Sequence, residues 1–205
     1  MSAAPAARGG DAVRNALIEA ACEGLAEVGP RALSTRNLAE RAGVNHGQIH
    51  HYFGGKRPLL EAAMAALAAE HWHNSLERAG GAPIPPALSL AEDTRYWRAT
   101  ARAVIEGDMA LARIEIDRGL SVPRRALEAM RERMGAGVDD PDFKVEFALL
   151  VAAQLGWVAF ESFAMLIADV DEDDHDAFRE RLRARLEQWI DEGFRTERSR
   201  PGKRR

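Results

Sequence analysis

Hydrophobic positions recur at three- and four-residue steps along most of the chain, and no alternating strand pattern or internal repeat stands out. Val13, Leu17, Ala21, Leu25 and Val28 make one such stripe. They predict a helix from Asp11, which can cap it, to about Val28, where Gly29 and Pro30 end it. Ser34 is a good N-cap for a short helix from Thr35 to Ala42, broken by Gly43. A third short helix is predicted from Asn45 to Phe53, closed by Gly54 and Gly55. Pro58 sits where proline is tolerated, in the first turn of a long helix reaching about Ala79. The stretch GGAPIPPALS, Gly80 to Ser89, is the clearest linker. Further helices are predicted at about 89–106, 108–119, 123–134, 141–169 and 174–195, started by Pro123 and Pro141 and stopped by Gly107, Gly119 and Gly135. The expected fold class is all-α, with about nine helices.

Composition narrows this picture without deciding function. The chain has 205 residues, 46% hydrophobic and 29% charged, an ordinary soluble balance with room for a real core. Its net charge is −4, so a nucleic-acid surface has to be a local patch. The one cysteine, Cys22, cannot form an internal disulfide and reads as a small core residue in a reducing cytoplasm. The opening MSAAPAARGG has no apolar targeting core. Phe147 to Ala168 has bilayer length, but Gln154, Glu161 and Ser162 interrupt it and no basic cluster flanks it closely. It reads as a buried soluble helix, in the core or at a subunit interface, and not as a membrane span. The acidic run Asp169 to Asp176 reads as a solvated turn feeding carboxylates to the last helix's positive N-terminus. It lacks the glycine and terminal glutamate of a calcium loop.

The chemistry concentrates in STRNLAERAGVNHGQIHHYF, Ser34 to Phe53. Ala39 is small, Gly43 follows four residues on, and the branched Ile49 comes six after that. That spacing lets a second helix cross closely over the first around a tight turn, as in a helix-turn-helix. On a wheel with Ile49 inward, Asn45, Tyr52 and Phe53 fall near it, and Gly47, Gln48, His50 and His51 fall outward with His46 at the margin. The outward face is polar and carries no carboxylate. Gly47 removes bulk at its middle, and Gln and His can exchange hydrogen bonds with base edges. Asn45 is placed to cap this helix. From Arg31 to Arg57 the chain holds five cations, Arg31, Arg36, Arg41, Lys56 and Arg57, against one acid, Glu40.

Other chemistries fit less well. His46 and His50 have the spacing to grip one metal ion, but no cysteine lies near and the outward face has no carboxylate. No nucleophile, acid pair or cofactor motif accompanies the histidines, so neither a catalytic site nor a cofactor is assigned and the chain is not read as an enzyme. A plain solvated helix face explains the polarity but not the glycine, the turn and the local cations together.

Leu33 to Leu60 closely resembles the N-terminal domain of TetR-family transcriptional regulators through Thr35-Arg36, Ala42-Gly43-Val44, Gly47, Tyr52-Phe53, Lys56 and Leu59-Leu60. This covers about the first quarter of the chain; the rest is similar only in helical architecture and length. The resemblance implies a cytoplasmic, homodimeric repressor that binds a double-stranded DNA operator and senses a small molecule. It implies that His46, Gly47 and Gln48 face bases, and that Thr35, Arg36, Tyr52 and Lys56 hold phosphates. His50 stands where relatives usually have a tyrosine on the DNA backbone. Asn45 and His51 complete the expected DNA-contacting set.

The expected domains are a disordered N-terminus 1–10, a DNA-binding domain 11–57, an effector and dimerisation domain 58–198, and a basic flexible tail 199–205. The apolar Phe147–Ala168 helix and the amphipathic last helix, with Phe178, Leu182, Leu186, Trp189 and Ile190 on one side, predict a four-helix interface between two copies. The resemblance further implies a pocket, to which Trp97, Ile105, Met109, Trp157 and Phe160 are assigned. The competing expectation is an all-helical ligand-binding or enzymatic protein that has lost DNA binding.

Overall fold

The computed structural model describes residues 9–135 and 140–192. Most of the N-terminal segment 1–10 and the whole of the tail 199–205 lie outside the described residues. Every regular element among the described residues is helical, as the periodicity requires. In chain order these are α1 (Gly10–Ala32), α2 (Thr35–Arg41), α3 (Gly47–Phe53), α4 (Lys56–Ala79), a 3-10 turn (Ser89–Glu92), α5 (Thr94–Ile105), α6 (Met109–Ala112), α7 (Ile114–Asp117), α8 (Val122–Met134), α9 (Pro141–Ile167), a second 3-10 turn (Glu172–Asp174) and α10 (His175–Glu192). Two predicted helices are subdivided. The segment 89–106 becomes a 3-10 turn and α5, parted at Asp93, and 108–119 becomes the single turns α6 and α7, parted at Arg113.

The chain forms two compact units. The first takes residues up to 74 together with 92–121, and the second takes 75–91 together with the residues from 122 onward. In the first unit, Leu17, Leu25, Leu38, Ile49, Leu59, Leu67 and Leu111 are fully buried. Helix α1 keeps a small residue at Gly24 because Leu33 lies against it. A Cβ there would stand 2.6 Å from Leu33 Cδ2. Cys22 is 2% exposed, and burial, the first cause, pushes its thiol up to about 12. It is an inert core residue, as the sequence suggested.

The first unit also buries a polar chain that the sequence did not disclose. His71 Nδ1 lies 2.5 Å from Asp93 Oδ2, and Asn74 donates to the other carboxylate oxygen at 2.8 Å. The His71 ring stacks on Tyr96 at 4.1 Å. The Tyr96 hydroxyl donates to Glu115, which also accepts from Ser121 at 2.7 Å. Burial raises the Glu115 carboxyl above its ordinary value.

In the second unit, Leu88, Met130, Phe143, Leu150, Leu186 and Ile190 share a core, with Leu127, Phe147, Trp157, Leu182 and Trp189 packed against it. Phe178 stacks on Trp157 at 6.0 Å. The apolar stripe of α10 is therefore turned into its own unit, and the side left outward carries Ala177, Arg181, Ala184, Arg185 and Gln188. Helix α9 was read as lying in the core or at a subunit interface, and within the single chain most of its apolar surface is left uncovered. Phe143, Leu150 and Met165 reach the core, while Val145, Leu149, Leu155, Phe160, Phe163, Leu166 and Ile167 remain exposed. The helix is too apolar all round for one core to cover it.

Candidate nucleic-acid interface

Helices α2 and α3 are placed by short-range chemistry. The Ser34 hydroxyl accepts from Asn37 N–H at 3.1 Å and caps α2. Gly43 adopts φ +65° in the turn, a conformation that a side chain would strain. Asn45 Oδ1 then accepts from Gly47 N–H at 2.9 Å. This capping contact holds Asn45 and His46 outside the helix, so α3 starts at Gly47 rather than Asn45. At the far end Gly54, at φ +77°, donates back to the His50 carbonyl and stops α3.

Ile49 is 0% exposed and anchors α3, with Leu38 and Ala39 of α2 in the same core. His46, Gly47, His50 and His51 are exposed and Gln48 is half-buried, so the predicted outward face is outward. Asn45 is exposed, serving as the cap. Tyr52 is half-buried, with the His51 ring edge-on at 4.7 Å, and a Cβ added to Gly10 would meet the Tyr52 hydroxyl at 3.4 Å. Phe53 carries the Arg14 guanidinium 5.4 Å over its ring, tying α3 to α1.

The charge around this face is more balanced than the local count suggested. Arg36 pairs with Glu40 at 2.9 Å, Arg41 with Glu27 at 2.7 Å, and Arg57 with both Glu61 at 2.7 Å and Asp108 at 2.6 Å. Three of the five cations thus already face carboxylates, and folding brings Glu27, Glu61 and Asp108 in from outside the counted stretch. Exposed pairs such as Arg36–Glu40 are weak enough to yield to a phosphate. Lys56 is committed differently. Its ammonium donates to the Pro30 carbonyl at 2.9 Å and to that of Leu33, holding the end of α1 to the start of α4. Thr35 is half-buried in the first turn of α2.

The result is a polar, carboxylate-free helix face, anchored by one buried branched residue and bracketed by caps. Residues 17–63 match the model of the bacterial regulatory proteins of the TetR family. Over these residues the chain carries the helix-turn-helix domain of that family. An HTH-type transcriptional repressor of Mycobacterium tuberculosis is 28% identical over 171 residues, spanning 83% of this chain and 85% of that protein. The HTH-type transcriptional regulator BetI of Pectobacterium carotovorum is 39% identical over 95 residues, 46% of this chain and 44% of that one. The class A tetracycline repressor of Escherichia coli is 45% identical over 65 residues, 32% of this chain and 30% of its own length. A crystal structure of a TetR-family regulator from Rhodococcus has the same fold, with a TM-score of 0.53 at 19% identity over 87% of this chain and 96% of that one. The match to TetR relatives is thus denser over the helix-turn-helix than over the rest.

The residues assigned to an effector pocket divide between the units. Trp97, Ile105 and Met109 belong to the first, where Trp97 is half-buried under the Arg98 guanidinium at 5.5 Å, and Ile105 and Met109 are 82% and 53% exposed. Trp157 and Phe160 belong to the second. Trp157 packs on the core, and Phe160 is exposed where α9 leaves helical geometry (φ −127°, ψ 17°). Two arginines of the same segments, Arg102 and Arg113, have protein partners. Arg102 donates to the Ala26 carbonyl at 3.1 Å, and Arg113 lies 4.0 Å from Asp117. Sequence reasoning missed Arg14, Glu106 and Asp108, whose roles come from contacts between segments remote in the chain and leave no local signal.

Proposed function

We propose that this chain is a cytoplasmic TetR-family repressor that binds a pseudo-palindromic operator as a two-fold homodimer and is released by a small-molecule effector. The observation that carries this reading is the outward face of α3: His46, Gly47, Gln48, His50 and His51 stand around a fully buried Ile49 with no carboxylate among them. Such a face suits the major groove, where glutamine reads a base edge and a glycine permits close approach. Arg36, Thr35, Tyr52 and the N-terminus of α4 at Lys56 flank it as phosphate contacts. The exposed apolar side of α9 supplies the surface for a second copy, with the outward side of α10 at its border. An effector acts by favouring a dimer whose recognition helices are wrongly spaced. Trp97, Ile105, Met109, Trp157 and Phe160 are the proposed effector contacts.

Selection of bound DNA from a random pool tests the reading directly. The expected product is an inverted repeat with half-sites about one turn, roughly 34–36 Å, apart. No enrichment at low salt, together with no gel shift of any fragment flanking the chain's own gene, would leave a helical ligand-binding protein as the better account.

A further inference from the structure

The short turn between α5 and α6, Glu106-Gly107-Asp108, touches the helix-turn-helix at both of its ends. At the first end, Glu106 Oε2 accepts from the Arg31 N–H at 2.8 Å. The seat is close. Gly29 has φ +80°, and a Cβ there would stand 2.2 Å from Glu106 Oε1. At the other end, Asp108 Oδ2 accepts from Arg57 at 2.6 Å, while Asp108 Oδ1 accepts from Leu111 N–H at 3.2 Å and so caps α6. Arg31 closes α1, the helix before the motif, and Arg57 opens α4, the helix after it. Lys56 joins the same two places through the Pro30 and Leu33 carbonyls. Helices α2 and α3 are thus carried between two posts, and one three-residue turn holds both. A cleft of about 510 Å³ opens beside it, lined in part by Arg31, Lys56 and Leu60.

We infer that Glu106 and Asp108 are positioning residues for operator binding, which set the angle at which α3 is presented without themselves touching DNA. The inference rests on the DNA-binding reading above. It makes a prediction opposite in sign to simple electrostatics. Asp108 and Glu106 are acids near a DNA-binding surface, so neutralising either one should tighten binding to any DNA if charge were their only influence. A misplaced recognition helix instead loses the base contacts and keeps the phosphate attraction.

The test compares the wild-type chain with Asp108→Asn and Glu106→Gln on a selected operator and on random duplex, across a salt series. Expected is a loss of about tenfold or more on the operator, with random-duplex affinity unchanged or slightly higher. Asp108→Glu, which keeps the ion pair with Arg57, should recover most of the operator affinity. Thermal melts of the same samples separate misplacement from unfolding, and a variant that melts below the assay temperature is replaced by Arg57→Lys, which retains charge but loses the forked contact. Equal tightening on both DNAs, or no change on either, overturns the inference while leaving the DNA-binding reading intact. Failure of the wild-type chain to bind any selected duplex overturns the reading itself.

Discussion

Single residues near the interface answer to fold and function together, and Lys56 shows how. The family resemblance implies a phosphate contact there; in the structure its ammonium ties the backbone carbonyls of Pro30 and Leu33 at the end of α1. Hydrogen bonds to a charged group contribute about 1.5–3 kcal/mol each at most. Lys56→Ala is therefore expected to lower the stability of the chain by about 2 kcal/mol, read from urea denaturation, and to weaken binding to all DNAs alike. Unchanged denaturation would show that those carbonyl contacts are unimportant in solution. Gln48→Ala should behave otherwise, costing about 1–3 kcal/mol against the preferred base and altering the selected sequence with little effect on stability. A random-pool selection repeated on the variant reads this, and an identical consensus would remove Gln48 from base recognition. Glu115 gives a pH test. Its carboxyl is raised by burial, so the folded chain holds that proton to higher pH than the unfolded chain does. Stability from this group is present at low pH and falls as pH rises from the ordinary carboxylate value through the raised one. Glu115→Gln should flatten that part of the melting temperature against pH curve; an unchanged slope would place the titration elsewhere.

At the scale of elements, the helices themselves were legible, and what covers the apolar faces of the long ones was not. Caps, turns and the Ala39, Gly43, Ile49 spacing act over a few residues, so Ser34, Asn45 and Gly54 could be assigned their roles before any packing was known. The face of a long helix is different. Hydrophobicity says that a face must be covered, not by what. Helix α10 meets its own core through Leu186 and Ile190, whereas α9 holds seven large apolar side chains out to solvent. The apolar stripe of α10 thus serves the core of its own unit, and the proposed subunit interface falls on the exposed side of α9. A glutamate on that face, Phe163→Glu, is expected to convert dimer to monomer in sedimentation at micromolar concentration. It should also cost on the order of 100-fold in operator affinity, because the second half-site is no longer tethered. A dimer that persists with full affinity would move the interface off this side of α9.

For the whole molecule, the sequence by itself determined the class, the order of elements and the identity of the recognition helix. These rest on periodicity, capping and a short motif, all of which are local and survive without knowledge of the rest of the chain. Only the tertiary structure decided how much of the positive charge is free, since Glu27 and Asp108 reach Arg41 and Arg57 across 14 and 51 positions of the chain. It alone revealed the buried His71–Asp93 and Tyr96–Glu115 chain and the turn that grips both ends of the helix-turn-helix. The physical reason is the same in each case. Local structure follows from the conformational preferences of neighbouring residues, while pairing, burial and coupling depend on which remote segments the hydrophobic cores bring together.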